Sequence, residues 1–165
     1  MSDFPVYTLD SAPPQSRPLL ERSRAALGMI PNLHGVMAQS PQLLEAYQQL
    51  HSLFLKTSLT AEEQTVVWQS VNREHNCHYC LPAHTAVARM MNVSASVIEA
   101  LNAGAPLPTP KLEALRNFTL QTVRQRGVVA DHQLAAFREA GYTSAQVMEV
   151  LLGVTQKIMS NYLNH

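Results

Sequence analysis

The chain has 165 residues, of which 46% are hydrophobic and 15% charged, and its formal net charge is zero. That length suits one domain able to bury a core without staples; a neutral, charge-poor surface argues against nucleic acid or an anionic membrane and for self-association. No apolar run nears the roughly 18 residues of a membrane span, and Met1 to Pro5 lack the basic and apolar regions of a secretory signal, so the cytoplasm is the expected compartment.

Residues 1–15, with Pro5, Pro13 and Pro14, read as an irregular arm ahead of a single all-helical domain over 16–165. The first helix is expected from Arg17 to about Leu27, with Leu19, Leu20, Ala25 and Leu27 inward and Gly28 as its stop. Pro31-Asn32-Leu33 opens a short helix through Met37. Ser40-Pro41 is an N-cap followed by proline at the first helical position, and Leu43, Leu44, Tyr47, Leu50 and Phe54 follow at helical spacing. Thr60 with Glu63 forms a capping box for a helix to about Glu74, whose inner side carries Val66, Val67, Ser70 and Val71. Trp68 points elsewhere on that helix, toward a second interface rather than the same core.

Asn76 is placed as the N-cap of the next helix, Cys77 to about Met91, with Pro82 in its first turns and Met90 and Met91 as core fillers. Ser94 caps a helix through Ala103 that Gly104 closes, and three prolines make residues 104–110 a connector. Leu112, Leu115, Phe118, Thr119, Thr122 and Val123 stripe a helix ending at Gly127; Asp131 to Glu139 form another, closed by Gly141. Thr143 caps the last, striped by Val147, Val150, Leu151, Val154 and Ile158 and still helical at His165, so a native tail is expected to be absent. No strand, repeat or low-complexity segment is found.

The chemistry lies in Glu-His-Asn-Cys-His-Tyr-Cys-Leu-Pro-Ala-His, residues 74–84, which holds the only two cysteines. On a helix Cys77, Cys80 and His84 share one face. Two thiols at this spacing form a disulfide or bind metal in a reducing compartment; the thiolate is the nucleophile, and a histidine one turn away can take its proton. Structural zinc needs four ligands, and beyond these three only His75 or His78 is near; with no second CxxC downstream, zinc is the lesser reading. Haem attachment requires histidine directly after the second cysteine, where Leu81 stands. No glycine-rich phosphate loop seats a flavin or nicotinamide, and no cofactor is expected. Glu74 is either a solvated helix-end charge or the carboxylate that orients His84. A helix N-terminus would favour the anion on Cys77 and the histidine would favour it on Cys80.

Asn72-Arg73-Glu74-His75-Asn76-Cys77-His78-Tyr79-Cys80-Leu81-Pro82-Ala83-His84-Thr85, with Leu59-Thr60 opening the preceding helix, resembles the alkylhydroperoxidase D-like branch of the carboxymuconolactone decarboxylase family. Leu27-Gly28-Met29-Ile30-Pro31-Asn32, Ser40-Pro41, Ala140-Gly141-Tyr142 and Asn161-Tyr162 extend the likeness over most of the chain from about Ala25. The resemblance implies a helical bundle with the CxxC at the start of a central helix, assembled as a homo-oligomer of unspecified subunit number. It implies a thiol peroxidase in which Cys80 attacks the peroxide, Cys77 resolves it into a disulfide, His84 activates the pair and an external dithiol or disulfide-reductase partner re-reduces them. The family often has a glutamate twelve residues before the first cysteine; Thr65 stands there, so Glu74 or Glu62 is expected to substitute. The rival function is a non-enzymatic redox-sensing or interaction module that switches through the same disulfide.

Overall fold

The computed structural model of the protein describes residues 4–164. Residues 1–3, the start of the expected arm, and His165, the expected helical end, lie outside the described residues. Among the described residues there are nine helices and no strand: α1 (Arg17–Leu27), α2 (Asn32–Met37), α3 (Pro41–Leu55), α4 (Ala61–Glu74), α5 (Cys80–Met90), α6 (Ala95–Ala103), α7 (Pro110–Arg124), α8 (Asp131–Glu139) and α9 (Ser144–Leu163).

The boundaries follow local chemistry. Ser40 accepts from the Leu43 N–H with Pro41 at the first position of α3, and Thr109 and Pro110 open α7 in the same way. Thr60 and Glu63 satisfy each other's backbone donors at the start of α4, and Thr143 and Gln146 do so at α9. α9 closes at Leu163 with Asn164 as its C-cap.

α4 is the central element, packed against α5, α6, α7 and α9. Every residue from Glu63 to Asn72 is buried, so no face of this stretch of the helix reaches water. Trp68 therefore lies in the main core with Phe54, Val66, Val67, Val71, Leu115 and Val150, and not in a separate interface. The expectation fails because a one-sided stripe was assumed for a helix that is enclosed all round. A second, smaller core joins α1, α2 and α3 through Leu19, Leu20, Leu33, Met37, Leu44 and Tyr47.

Four other inward assignments shift. Ala25 and Leu27 face outward and Ser23 is buried in their stead, because Ser23 Oγ binds the Leu19 carbonyl and meets His34 Nδ1 at 2.8 Å. Met90 is exposed rather than a core filler. On α9, Leu151 is exposed, and the buried stripe runs through Val150, Gly153 and Val154 into polar residues Gln156, Lys157, Ser160 and Asn161.

Gly153 is where α9 crosses α3 and α4 most closely. A Cβ built there would lie 2.5 Å from Phe54 Cε2 and 2.9 Å from Val67 Cγ1. Overpacking of this kind costs about 1–3 kcal/mol, against at most about 1 kcal/mol regained from helix propensity. Gly153→Ala is expected to destabilise the fold by about 1 kcal/mol and Gly153→Val by more, read as a lowered urea midpoint; a midpoint unchanged in both would show that α9 does not bear on Phe54.

Candidate active site

The two cysteines are set by the way α4 ends. The Asn76 N–H binds the Arg73 carbonyl and the Cys77 N–H binds the Asn72 carbonyl at 2.9 Å, while Asn76 itself has φ +50°. This is a left-handed helix stop, a conformation that asparagine tolerates better than most residues. Asn76 thus closes α4 instead of capping the next helix, and α5 begins at Cys80 rather than Cys77. Cys77 sits in the turn, where its Sγ accepts the Cys80 N–H at 3.3 Å and so serves the start of α5. The two are joined as a disulfide with Cα atoms 5.3 Å apart, and their exposures are 1% and 2%.

Side-chain amides hold the sulfur of Cys80. Asn161 Nδ2 donates to Cys80 Sγ at 3.0 Å and to Asn72 Oδ1 at 2.9 Å, and Asn164 Nδ2 donates to the same sulfur at 3.2 Å. Asn72 Nδ2 in turn binds Gln69 Oε1 at 2.8 Å, and Gln69 Nε2 reaches the Leu81 carbonyl and Thr85 Oγ1. His75 Nδ1 meets Asn161 Oδ1 at 3.1 Å. Donors around a sulfur favour its thiolate. With the reduced pair, two amides would act on Cys80 and one backbone N–H on Cys77.

His84 is buried against Trp68, ring centroids 5.0 Å apart, and His51 stacks on the same indole at 5.3 Å. The partner of His84 is a lysine: Lys157 Nζ lies 2.8 Å from His84 Nε2, and His84 Nδ1 has no partner among the described residues. Burial, then Lys157 and then His51 push His84 well below the ordinary imidazole range. Burial brings Lys157 down to about 7. His84 is therefore neutral, and Lys157 gives up its proton near neutrality rather than far above it.

The expected carboxylates are elsewhere. Glu74 forms a bidentate pair with Arg124, both oxygens at 2.8 Å, which holds its pKa down and turns it away from His84. Glu62 accepts the Ser94 N–H, and Thr65 is buried with its hydroxyl on the Ala61 carbonyl. His75 is engaged with Asn161, and His78 and Tyr79 are exposed.

A cavity of about 450 Å³ lies at the seam between the two cores. Cys80, His84 and Lys157 form its reactive wall; Leu27, Leu33, Leu55, Ala83 and Val87 supply much of the rest. The titratable or charged groups that share this wall are Arg22 from α1, His34 from α2, Tyr47 and His51 from α3 and Tyr79 beside α5. Among the described residues of the wall there is no Asp or Glu. Lys157 was missed in sequence because it falls in an apolar stripe where a lysine reads as a surface residue; its i+4 spacing to Asn161 was the available signal.

This arrangement of helices is found in solved proteins. A structure of the alkylhydroperoxidase AhpD core, an uncharacterized peroxidase-related protein from Ralstonia eutropha JMP134, superposes with a TM-score of 0.80 at 26% identity, covering 97% of this chain and 86% of that one. The chain has the AhpD-like fold. A second structure, of an uncharacterized peroxidase-related protein from Silicibacter sp. TM1040, shares it with a TM-score of 0.78 at 20% identity over 98% and 84% of the two chains. No family model matches the sequence, and no curated protein matches it. Among the described residues no helix of this AhpD-like bundle is long and apolar enough to cross a membrane.

The buried histidines make the fold acid-sensitive. Burial lowers His34 and His51 from 6.5 to about 4, and His84 moves in the same direction. Below pH 6.5 the imidazoles of the unfolded chain take up protons that those of the folded chain refuse, so the histidines cost no stability above 6.5 and an increasing amount as pH falls toward 4. Lys157, lowered from 10.5 to about 7, adds a loss between those values on the way down. The melting temperature is expected to fall steadily from pH 7 to pH 5; a flat profile would mean that these imidazoles accept protons without unfolding.

Proposed function

We propose that the protein is a thiol peroxidase that reduces organic hydroperoxides through the Cys77–Cys80 couple. The observation that supports this most is that Cys80, His84 and Lys157 share one cavity wall, on which Cys77 has no place among the described residues. A peroxide in that cavity meets Cys80 first. The Cys80 thiol passes its proton to the His84–Lys157 pair, and the thiolate attacks the O–O bond. Cys80 becomes a sulfenic acid, and the leaving alkoxide takes back the proton to depart as an alcohol. Cys77 condenses with the sulfenic acid, releasing water and forming the disulfide, which an external dithiol reduces.

Lys157 takes the part that the resemblance gave to a glutamate. A neutral amine beside an imidazole can hold the thiol proton as a carboxylate would, becoming charged where the carboxylate would become neutral. Assembly as a homo-oligomer belongs to the same reading: Leu53, Met90, Met148 and Leu151 are exposed apolar residues that a subunit contact would cover. So does a cytoplasmic setting, where a dithiol supply keeps the couple turning.

The deciding experiment is hydroperoxide consumption with dihydrolipoamide as reductant. Wild type is expected to consume many equivalents per subunit, Cys80→Ser none, and Cys77→Ser a single one; consumption that stops at one equivalent in wild type would make the protein a redox sensor instead. In the reduced protein Cys80 should alkylate faster than Cys77 at mildly acidic pH, and His84→Ala should slow it.

Two further variants test the relay. Glu74→Gln is expected to leave turnover unchanged, since Arg124 already holds that carboxylate. The free amine is the working form, so wild-type kcat/KM should decline as pH falls through about 7. Lys157→Met should lower kcat about tenfold or more and remove that limb of the profile, with KM little changed. An unaltered profile in Lys157→Met would place the base elsewhere.

A further inference from the structure

Lys157 is 1% exposed and, among the described residues, has no carboxylate partner and one side-chain hydrogen bond, to the imidazole of His84. A buried ammonium normally takes an acidic partner, because removing an unpaired charge from water is costly. Here the amine instead stands on the wall of a half-open, mainly apolar cavity large enough for a small organic molecule. An amine desolvated in this way is the usual form of a lysine that reacts with carbonyl compounds.

We propose that Lys157 is a carbonyl-condensing residue that takes apolar aldehydes or ketones from the cavity as reversible imines. The Nζ lone pair attacks the carbonyl carbon, a C–N bond forms, and the carbonyl π pair moves to oxygen. Nitrogen loses one proton to His84 Nε2, 2.8 Å away, which hands it to the oxygen, giving a carbinolamine. Nitrogen's second proton follows the same route as the C–O bond breaks, and the oxygen leaves as water. The sum is amine plus carbonyl giving imine plus water, with no change of oxidation state. Leu27, Leu33, Leu55 and Val87 select for an aliphatic or aromatic body, and they exclude the bulk water that would reverse the step.

The lowered pKa of Lys157, about 7, supplies free amine at neutral pH. Each unit by which an amine pKa falls toward the working pH raises its reactive fraction about tenfold. The groups facing Nζ do not supply a competing anion: His84 comes from α5, His51 and Tyr47 from α3, His34 from α2 and Arg22 from α1. Tyr47 is raised to about 12 by burial and stays neutral.

The proposal is independent of the thiol chemistry, because trapping is done on the disulfide form and reads mass, not turnover. The full-length oxidised protein is incubated with hexanal and sodium cyanoborohydride at pH 7, and peptide mapping follows the N-hexyl group. The chain has three lysines, so Lys56 and Lys111 are internal references, and the α-amino group maps separately. Lys157 is expected to be labelled at least about tenfold faster than either reference. Glyceraldehyde, polar and unsuited to the apolar wall, should show no such preference. His84→Gln should slow labelling at Lys157 and leave Lys56 and Lys111 unaffected. Equal labelling of the three lysines by hexanal, or an unlabelled Lys157 in the folded wild type, overturns the proposal. That comparison is made within one wild-type sample and needs no Lys157 variant to fold. Peroxide turnover could fail with Lys157 still trapped, or persist with it inert, so the two readings fall separately.

Discussion

The constraint on which the rest depends is that the middle of α4 has no solvent face. Ten consecutive residues from Glu63 to Asn72 are enclosed, and several carry side-chain amides that must find their hydrogen bonds inside the protein. Gln64 takes the Phe54 carbonyl at the end of α3. Gln69 takes the Leu81 carbonyl and Thr85 on α5, and Asn72 takes Gln69 and Asn161. These bonds fix α3, α5 and α9 relative to one helix, and they converge on the sulfur of Cys80. Satisfying the buried amides of α4 and positioning the disulfide are one problem with one solution.

The same enclosure explains the electrostatics. With Trp68 filling the space between His51 and His84, water has little access to either ring. Burial disfavours the charged forms of His34, Tyr47, His51, His84 and Lys157, and among the described residues the wall of the seam holds no acid. A glutamate at Thr65 would bring a negative charge into this environment. In the proposed relay the base, Lys157, is uncharged when ready to act and becomes charged on taking the proton, where a carboxylate would become neutral.

Much of the fold could be read from the chain. Caps at Ser40, Thr60 and Thr143 and stops at Gly28, Gly104 and Gly141 are local signals that tertiary packing does not override, so helix boundaries came out close. The disulfide pair and His84 were legible from spacing alone. What could not be read was long-range. Asn76 carries an equally good signal for a helix start or a left-handed stop, and only the Cys77–Asn72 backbone bond decides between them. Glu74 lies near the cysteines in sequence, yet Arg124, fifty residues on, claims it. Lys157 and Asn161, more than seventy residues beyond the motif, complete the site. Periodicity also misjudged Trp68 and the lower half of α9, because it assumes that polar residues face water.

The seam between the two cores bears on how fast the couple can be recharged. The two cysteines are exposed by only 1% and 2%, which under the proposed function would suffice for a small peroxide admitted through a cavity of about 450 Å³ but not for another protein's dithiol. Thiol–disulfide exchange needs the incoming sulfur in line with the bond it breaks. The α1–α3 layer, with its own small core, is the unit whose parting from α5 and α9 would give that approach. Reduction would then be paced by breathing of the fold, and amide hydrogen exchange along α1 and α2 would run on the same clock as disulfide reduction.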